Sequence, residues 1–336
     1  MLKRITALLC AGLLLLGTLS GCGKSNRNVK IGVSFGVGAA SRWDSEAAYM
    51  EDRAKELGVE IEVRLNRTDE PKTQQEDCFE LIDSGISVLV LTPRDVNKVS
   101  EILDYAAEKK VPVISYARVV LGQPVDLFVG YDSNRIGQDL GRYLSEMVYE
   151  GDYLILWGDA GDNNATLLGE GAMRYIESLG DSINIIANEP VPGWSPDEAK
   201  KIVMDAVSKN GNHVDAILAP NDKIAGACVD ALQELGVTEH VAITGMDTEL
   251  DAVKRIVAGT QDVTIYMDLK ELATTAIDEA VKLARGEKVD VNAPFDNQSG
   301  STIDANLITG KLITRENIDS ILIDSGYFTH EQVYGE

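Results

Sequence analysis

The sequence predicts an α/β protein built from two similar, doubly wound parallel-sheet lobes joined by a hinge. Three observations carry that expectation. Short β-branched runs alternate with amphipathic helical runs along the chain after residue 28, the pattern of parallel strands covered by helices. The strand runs are nearly continuous in apolar residues, as strands buried on both faces require. The pattern then starts again about 130 residues further on, a distance close to the size of one ordinary domain.

The first half opens with the strand run VKIGVSF at 29–35, followed by the helical run SRWDSEAAYMEDRAKELG at 41–58. VEIEVRL, SVLVLTP, VPVISYA and DLFVGYD then read as strands, with EPKTQQEDCFELIDSG and DVNKVSEILDYAAEKK as helices among them. The second half repeats the scheme with DYLILWGD, INIIANEP, VDAILAPND, HVAITGMD and DVTIYMD as strands. SPDEAKKIVMDAVSKNG and KIAGACVDALQELG are helices between them. In open parallel sheets, ligands bind beyond the carboxyl ends of the strands. The informative residues are therefore those just after each strand.

The N-terminus sets the compartment. Lys3 and Arg4 precede an apolar run from Ile5 to Leu16, and LSGC ends it. This is a secretory leader with a small-residue cleavage site, and its end is similar to the lipobox of bacterial lipoproteins. Residues 1–21 are expected to be the signal peptide, Cys22 the lipidated residue and 22–28 a polar tether. Several acyl chains on one cysteine give stable anchoring, so the expected location is the outer face of the cell membrane.

The formal net charge is −23, and loss of Lys3 and Arg4 with the leader takes it to −25. Such acidity argues against nucleic-acid binding, which needs a basic face. It equally argues against lying flat on anionic lipid. Hydrophobic residues are 44% and charged residues 25% of the chain, a globular composition. Cys10 leaves with the leader, and Cys78 and Cys228 read as buried free thiols on helices of different halves. No C-x-x-C and no metal-ligand spacing is present.

Gly36, Gly38 and Ser41 in GVGAASRW make a near-miss of G-x-G-x-x-G. The third glycine is missing and Arg42 and Trp43 crowd the helix start, so a dinucleotide turn is disfavoured. Export lowers that prior further. Instead the loop presents Arg42 and Trp43 at a strand tip, although Trp43 alone would serve equally as a hydrophobic staple of its helix. Trp194 lies between Gly193 and a helix start with Ser195 as N-cap and Pro196 at the first position. A tryptophan on such a loop has no helical core face to fill. Asp162, Asn163 and Asn164 stand where a strand hands over to a helix, and capping accounts for one of the three. Of Asn221 and Asp222, one can cap and the other face a ligand. Arg118, Asp247 and Met267 end three further strand runs. Amides, carboxylates, arginines and tryptophans together suit a neutral polyol, with polar groups for hydroxyls and flat faces for ring C–H groups. His213, His240 and His330 all lie away from these tips, so no nucleophilic triad is expected.

SRW, SVLVLTP, DNNA, GW-P-A, ND--AG, AITGMD, KRIVAGTQDVTIY and the LIT-ENI tail, in this order, resemble the sugar-binding proteins of ABC importers. The branch is the type I periplasmic binding proteins, and within it the xylose-binding group. The resemblance covers almost the whole chain after the leader. It implies two lobes joined by three crossings that close on a sugar. Trp43 and Trp194 match two tryptophans that sandwich the pyranose. Arg42 and Arg118 match donors to sugar hydroxyls. Asp162 and Asn164 match an acid–amide pair, with Asn221 and Asp247 completing the second lobe. Two positions depart: Ala117 stands where the group has Asp, and Met267 where it has Lys. The departures predict a preference shifted from free xylose toward a sugar with a different or substituted group at that end.

The expected product is a non-enzymatic, membrane-anchored sugar-binding lipoprotein that feeds an ABC permease, a monomer without cofactor. Lobe boundaries are expected at 29–131 plus 268–297 and at 132–267 plus 298–336. A receptor presenting its sugar-bound state to a membrane sensor kinase is the first alternative, and an exported sugar-active enzyme the second.

Overall fold

The computed structural model describes residues 29–36, 41–67, 73–96 and 98–335. The leader, Cys10, Cys22, the tether and Gly38 lie outside the described residues. Among the described residues, no helix is long and apolar enough to cross a membrane.

The first lobe is a seven-stranded sheet. Its early elements are β1 (Lys30–Gly36), α1 (Ser41–Leu57), β2 (Glu60–Asn66), α2 (Gln74–Asp83), β3 (Val88–Thr92), α3 (Ser100–Lys109), β4 (Val113–Tyr116) and β5 (Leu127–Tyr131). All these strands pair in parallel. Central strand β3 is buried along its whole length, and each apolar side chain so buried contributes about 1.5–3 kcal/mol. The chain then crosses to the second lobe. It supplies α4 (Ser133–Met147), β6 (Gly151–Trp157), α5 (Asn163–Ile176), β7 (Ile183–Pro190), α6 (Pro196–Lys209), β8 (Ala216–Leu218), α7 (Asp222–Leu235), β9 (Ala242–Ile243), α8 (Leu250–Ala258) and β10 (Val263–Tyr266). The second sheet runs in the order β7-β6-β8-β9. β10 continues it, with the Asp262 N–H donating to the Ile243 carbonyl at 3.0 Å.

The chain returns to the first lobe through α9 (Leu269–Arg285), which packs against α1 and β3. It then forms β11 (Ala293–Asp296) and β12 (Thr302–Ile308), completing the sheet order β11-β12-β5-β4-β3-β1-β2. Here the structure corrects the expected boundary. β12 pairs in parallel with β5 over Ala305–Ile308, so residues 302–308 belong to the first lobe. The third crossing lies at 309–310, before β13 (Lys311–Thr314) pairs antiparallel with β10. The expected boundary between 297 and 298 falls in the hairpin turn, 297–301, that joins β11 to β12. α10 (His330–Tyr334) closes the chain against α8.

One local feature bears on the cleft. α4 and α5 pack closely because Gly137 has no side chain: a Cβ there would lie 1.9 Å from the Leu168 carbonyl oxygen. That contact ties the start of α5 to the helix that follows the first crossing. Cys78 and Cys228 are buried and free, on α2 and α7. Burial pushes both thiols up to about 12, which leaves them unreactive.

Candidate functional site

Arg42 and Trp43 occupy the first turn of α1. A cation there opposes the helix dipole, and Glu46, one turn on, compensates. Arg42 Nε and Nη2 both donate to Glu46 Oε1, at 3.0 and 2.6 Å. Burial opposes the charge on Arg42, but the carboxylates of Glu46 and Asp247 more than offset this and raise its pKa. Burial pushes Glu46 upward while Arg42 pulls it down. The Arg42 guanidinium lies 4.4 Å from the Trp43 ring centre and that of Arg118 lies 5.8 Å from it. Trp43 also packs on Phe35, with ring centres 5.7 Å apart. It is therefore both a core residue and a wall of the cleft.

Arg118 follows β4. Its guanidinium makes no hydrogen bond among the described residues. Burial lowers its pKa, and Asp162 acts in the opposite direction. Beside it, Ala117 adopts φ +59°, a left-handed conformation that a side chain other than Asn or Asp rarely takes.

The second lobe answers with short polar groups on helix starts. Asp162 caps α5, accepting from the Asn164 N–H at 2.9 Å. Asn164 accepts from the Ser133 hydroxyl at 3.2 Å, and its amide points across the cleft at the Ala117 carbonyl, 3.5 Å away. Asn221 caps α7 through its Oδ1, which accepts from the Ile224 N–H at 2.9 Å. The same side chain faces the cavity, so capping and cleft lining fall on one residue. Asp222 turns into the core instead. It accepts from the Glu249 N–H, the Gln261 amide and the Thr264 hydroxyl, each at 2.9 Å. These bonds hold the loop that carries Asp247, whose own backbone is at φ +101° and is followed by Thr248 at +54°. Asp247 is not a cap, since α8 starts after Glu249. Burial pushes Asp247 up to about 6, with Arg42 drawing it down. Burial and neighbouring Asp247 also push Asp222 upward. Backbone held in such sparsely populated regions concentrates at binding sites.

Trp194 ends a short turn over Pro192–Trp194 at φ +54°. Asp159 Oδ2 accepts the Gly193 N–H at 2.5 Å and pins that turn. The indole lies on Gly158, where a Cβ would come within 2.2 Å of the ring.

Arg42, Trp43, Arg118, Asp162, Asn164, Trp194, Asn221, Asp247 and Met267 all line one cavity of about 200 Å³ between the two sheets. Residues 31–288 match the family model of the periplasmic binding protein domain. The chain belongs to that family. A D-xylose-binding periplasmic protein of Escherichia coli K12 is 30% identical over 334 residues, which are 99% of each chain. Among solved structures, an ABC transporter solute-binding protein of Clostridium phytofermentans with bound β-D-glucose has a TM-score of 0.80 at 25% identity. The match covers 90% of this chain and 99% of that one. A carbohydrate transporter solute-binding protein of Chloroflexus aurantiacus in complex with D-glucose has a TM-score of 0.78 at 26% identity, over 91% and 97% of the two chains. The fold is thus the two-lobed α/β architecture of type I periplasmic binding proteins.

In this periplasmic binding protein the cavity has three further walls that sequence reasoning passed over: Tyr131, Ser133 and Met246. Each neighbours a residue already identified at a strand end, and reading one position either side of every tip would have found them. Among the described residues the buried Tyr131 hydroxyl has no hydrogen-bond partner, and no histidine or cysteine lines the cavity. One group with metal-ligand atoms exists among the described residues, Asp152, His213 and Asp215. It sits at the opposite end of β6 and β8, where the Asn184 and Asn210 amides and the Asp152 N–H already engage its carboxylates.

Proposed function

We propose that this chain is the extracytoplasmic substrate-binding component of a sugar ABC importer. It captures a neutral aldose, xylose or a relative of it, by closing its two lobes, and it does not turn the sugar over. The observation that carries this reading is the make-up of the one cavity. Guanidinium donors from the first lobe face carboxylate and amide groups from the second, with an indole from each lobe at its walls. A sugar hydroxyl donates and accepts at once, so it can bridge the two sets. The names of the relatives, which bind D-xylose or D-glucose, support the same class.

The mechanism follows from the placement of the charges. Each lobe alone holds its groups in water. A sugar that contacts both lobes binds the closed state better than the open one, and that difference in affinity drives closure.

A thermal-shift screen of pentoses and hexoses, followed by calorimetry, tests the reading. One or more aldoses should raise the melting temperature and bind stoichiometrically without product formation. If no neutral sugar does so, the reading is wrong. Anchoring through Cys22 is tested separately. The wild type should label with fatty acid in cells, and Cys22→Ala should not. An unlabelled wild type refutes the anchor and leaves sugar binding untouched.

A further inference from the structure

A second space of about 600 Å³ adjoins the cavity and has three times its volume of 200 Å³. Arg118, Asp162, Asn164 and Trp194 line both spaces, so these four residues form the neck at which the two meet. Ala117 puts only a methyl group beside that neck, its carbonyl oxygen 3.5 Å from the Asn164 amide.

We infer that the chamber is a second sugar subsite, and that the preferred ligand is a neutral disaccharide or glycoside whose first ring fills the inner cavity. This rests on the sugar-binding reading above and extends it. The chemistry of the walls selects the class. The chamber adds Arg94, Asp95 and Asp159 to the shared Arg118 and Asp162, so cations and anions nearly balance and neither an acidic nor an amino sugar is favoured. Trp194 reaches both spaces and offers an apolar ring face to each unit. Arg118 stands in the neck with its guanidinium unbonded to any described residue. Its planar fork of donors can serve hydroxyls of both rings and the glycosidic oxygen between them. Asp159 is already committed: it accepts from the Gly161 and Gly193 N–H groups, at 2.8 and 2.5 Å, and shapes the wall. The remaining wall is smooth and apolar at Val96 and Val119.

The test compares lengths of one sugar. Calorimetry measures D-xylose against xylobiose and D-glucose against cellobiose and maltose, on the chain lacking residues 1–21. At least one disaccharide should bind tenfold or more tightly than its own monosaccharide. Two fillers, one from each lobe, should remove that gain: Val96→Trp and Asn163→Trp, each keeping monosaccharide affinity within about threefold. The unchanged monosaccharide site shows that a filled variant is folded. A gain below tenfold for every disaccharide, or a gain that survives both fillers, overturns the subsite. If monosaccharides bind and disaccharides are refused, the subsite falls and the sugar-binding reading stands. If sugars of neither length bind, both fall.

Discussion

The two walls of the cleft solve opposite problems. On the first lobe, Arg42 is a cation at a helix N-terminus, where the dipole repels it, and it needs the fully buried Glu46 to stay there. On the second lobe, Asp162 and Asn221 sit where helix N-termini favour them, and each caps its own helix while lining the cavity. One wall is held by added side chains, the other by the backbone itself. Mutation of Arg42 should therefore threaten the fold as well as binding. Mutations of Asp162 or Asn221 should weaken binding and cost only a helix cap, about 1 kcal/mol.

The sharpest break of that comparison lies within the first wall. Arg42→Ala leaves Glu46 buried without its partner and should cost about 3 kcal/mol of stability in addition to about a hundredfold in sugar affinity. Replacing the pair together, Arg42→Met with Glu46→Leu, should restore the stability and not the binding. Arg118→Ala should lose roughly thirty- to a hundredfold in affinity with stability unchanged or raised, since among the described residues this guanidinium makes no hydrogen bond that its loss would strand. Urea denaturation and calorimetry on the three variants decide the matter. Equal destabilisation by both alanine changes would erase the distinction.

Trp194→Ala should weaken sugar binding about thirtyfold, as truncation of a buried aromatic anchor costs about 2 kcal/mol. Because the indole rests on Gly158, Gly158→Ala should reproduce part of that loss by pushing the ring aside. Calorimetry with intact circular dichroism checks both, and unchanged affinity in Trp194→Ala would remove this residue from the site.

Asp247 gives a smaller, pH-dependent effect. Its folded pKa of about 6 lies above the ordinary value of 3.8, so the folded state holds the proton more tightly than the unfolded chain. Stability of the empty protein from this group is then greatest below pH 4 and is lost as pH rises from about 4 to 6. Sugar affinity runs the other way and should fall as pH drops through 6, when the acceptor carboxylate is protonated. Asp247→Asn should flatten the affinity profile and reduce the stability slope, of which Asp222, also pushed upward by burial, keeps its own share, at a cost of about tenfold in affinity at pH 7.5. Titrations at several pH values measure this, and a wild-type affinity that is level from pH 7.5 to 5 would contradict it.

The smallest expected effect is at Ala117. Glycine tolerates φ +59° without the Cβ penalty, so Ala117→Gly should stabilise the chain by about 1 kcal/mol or less. Chemical denaturation at two temperatures resolves a change of that size. A loss of stability would mean that the methyl contacts outweigh the backbone relief.

Much of this site was legible because parallel sheets put ligands at strand ends, and nearly every tip in this chain carries chemistry. Trp194 stood out because a loop offers it no core. Other features were hidden for physical reasons. Which of Asn221 and Asp222 faces the cleft depends on how the loop around Asp247 folds back, a contact between residues 25 or more positions apart. The late strands β11, β12 and β13 were missed because their sequences mix polar and apolar residues, as edge and crossing strands do. That is why the third crossing was expected about ten residues too early. The left-handed backbone at Ala117 and Trp194 leaves no trace in residue type, since neither is glycine, asparagine or aspartate.

Gly310 lies in the third crossing, between β12 and β13. A Cβ at this position would lie 2.2 Å from Ile265 Cγ2 and 3.4 Å from Met267 Sδ. The same Met267 lines the cavity between the lobes. Its thioether thus stands between that cavity and the third crossing. A side chain at 310 would have to displace Ile265 and crowd that sulfur, so the crossing and the cavity wall share one packing constraint.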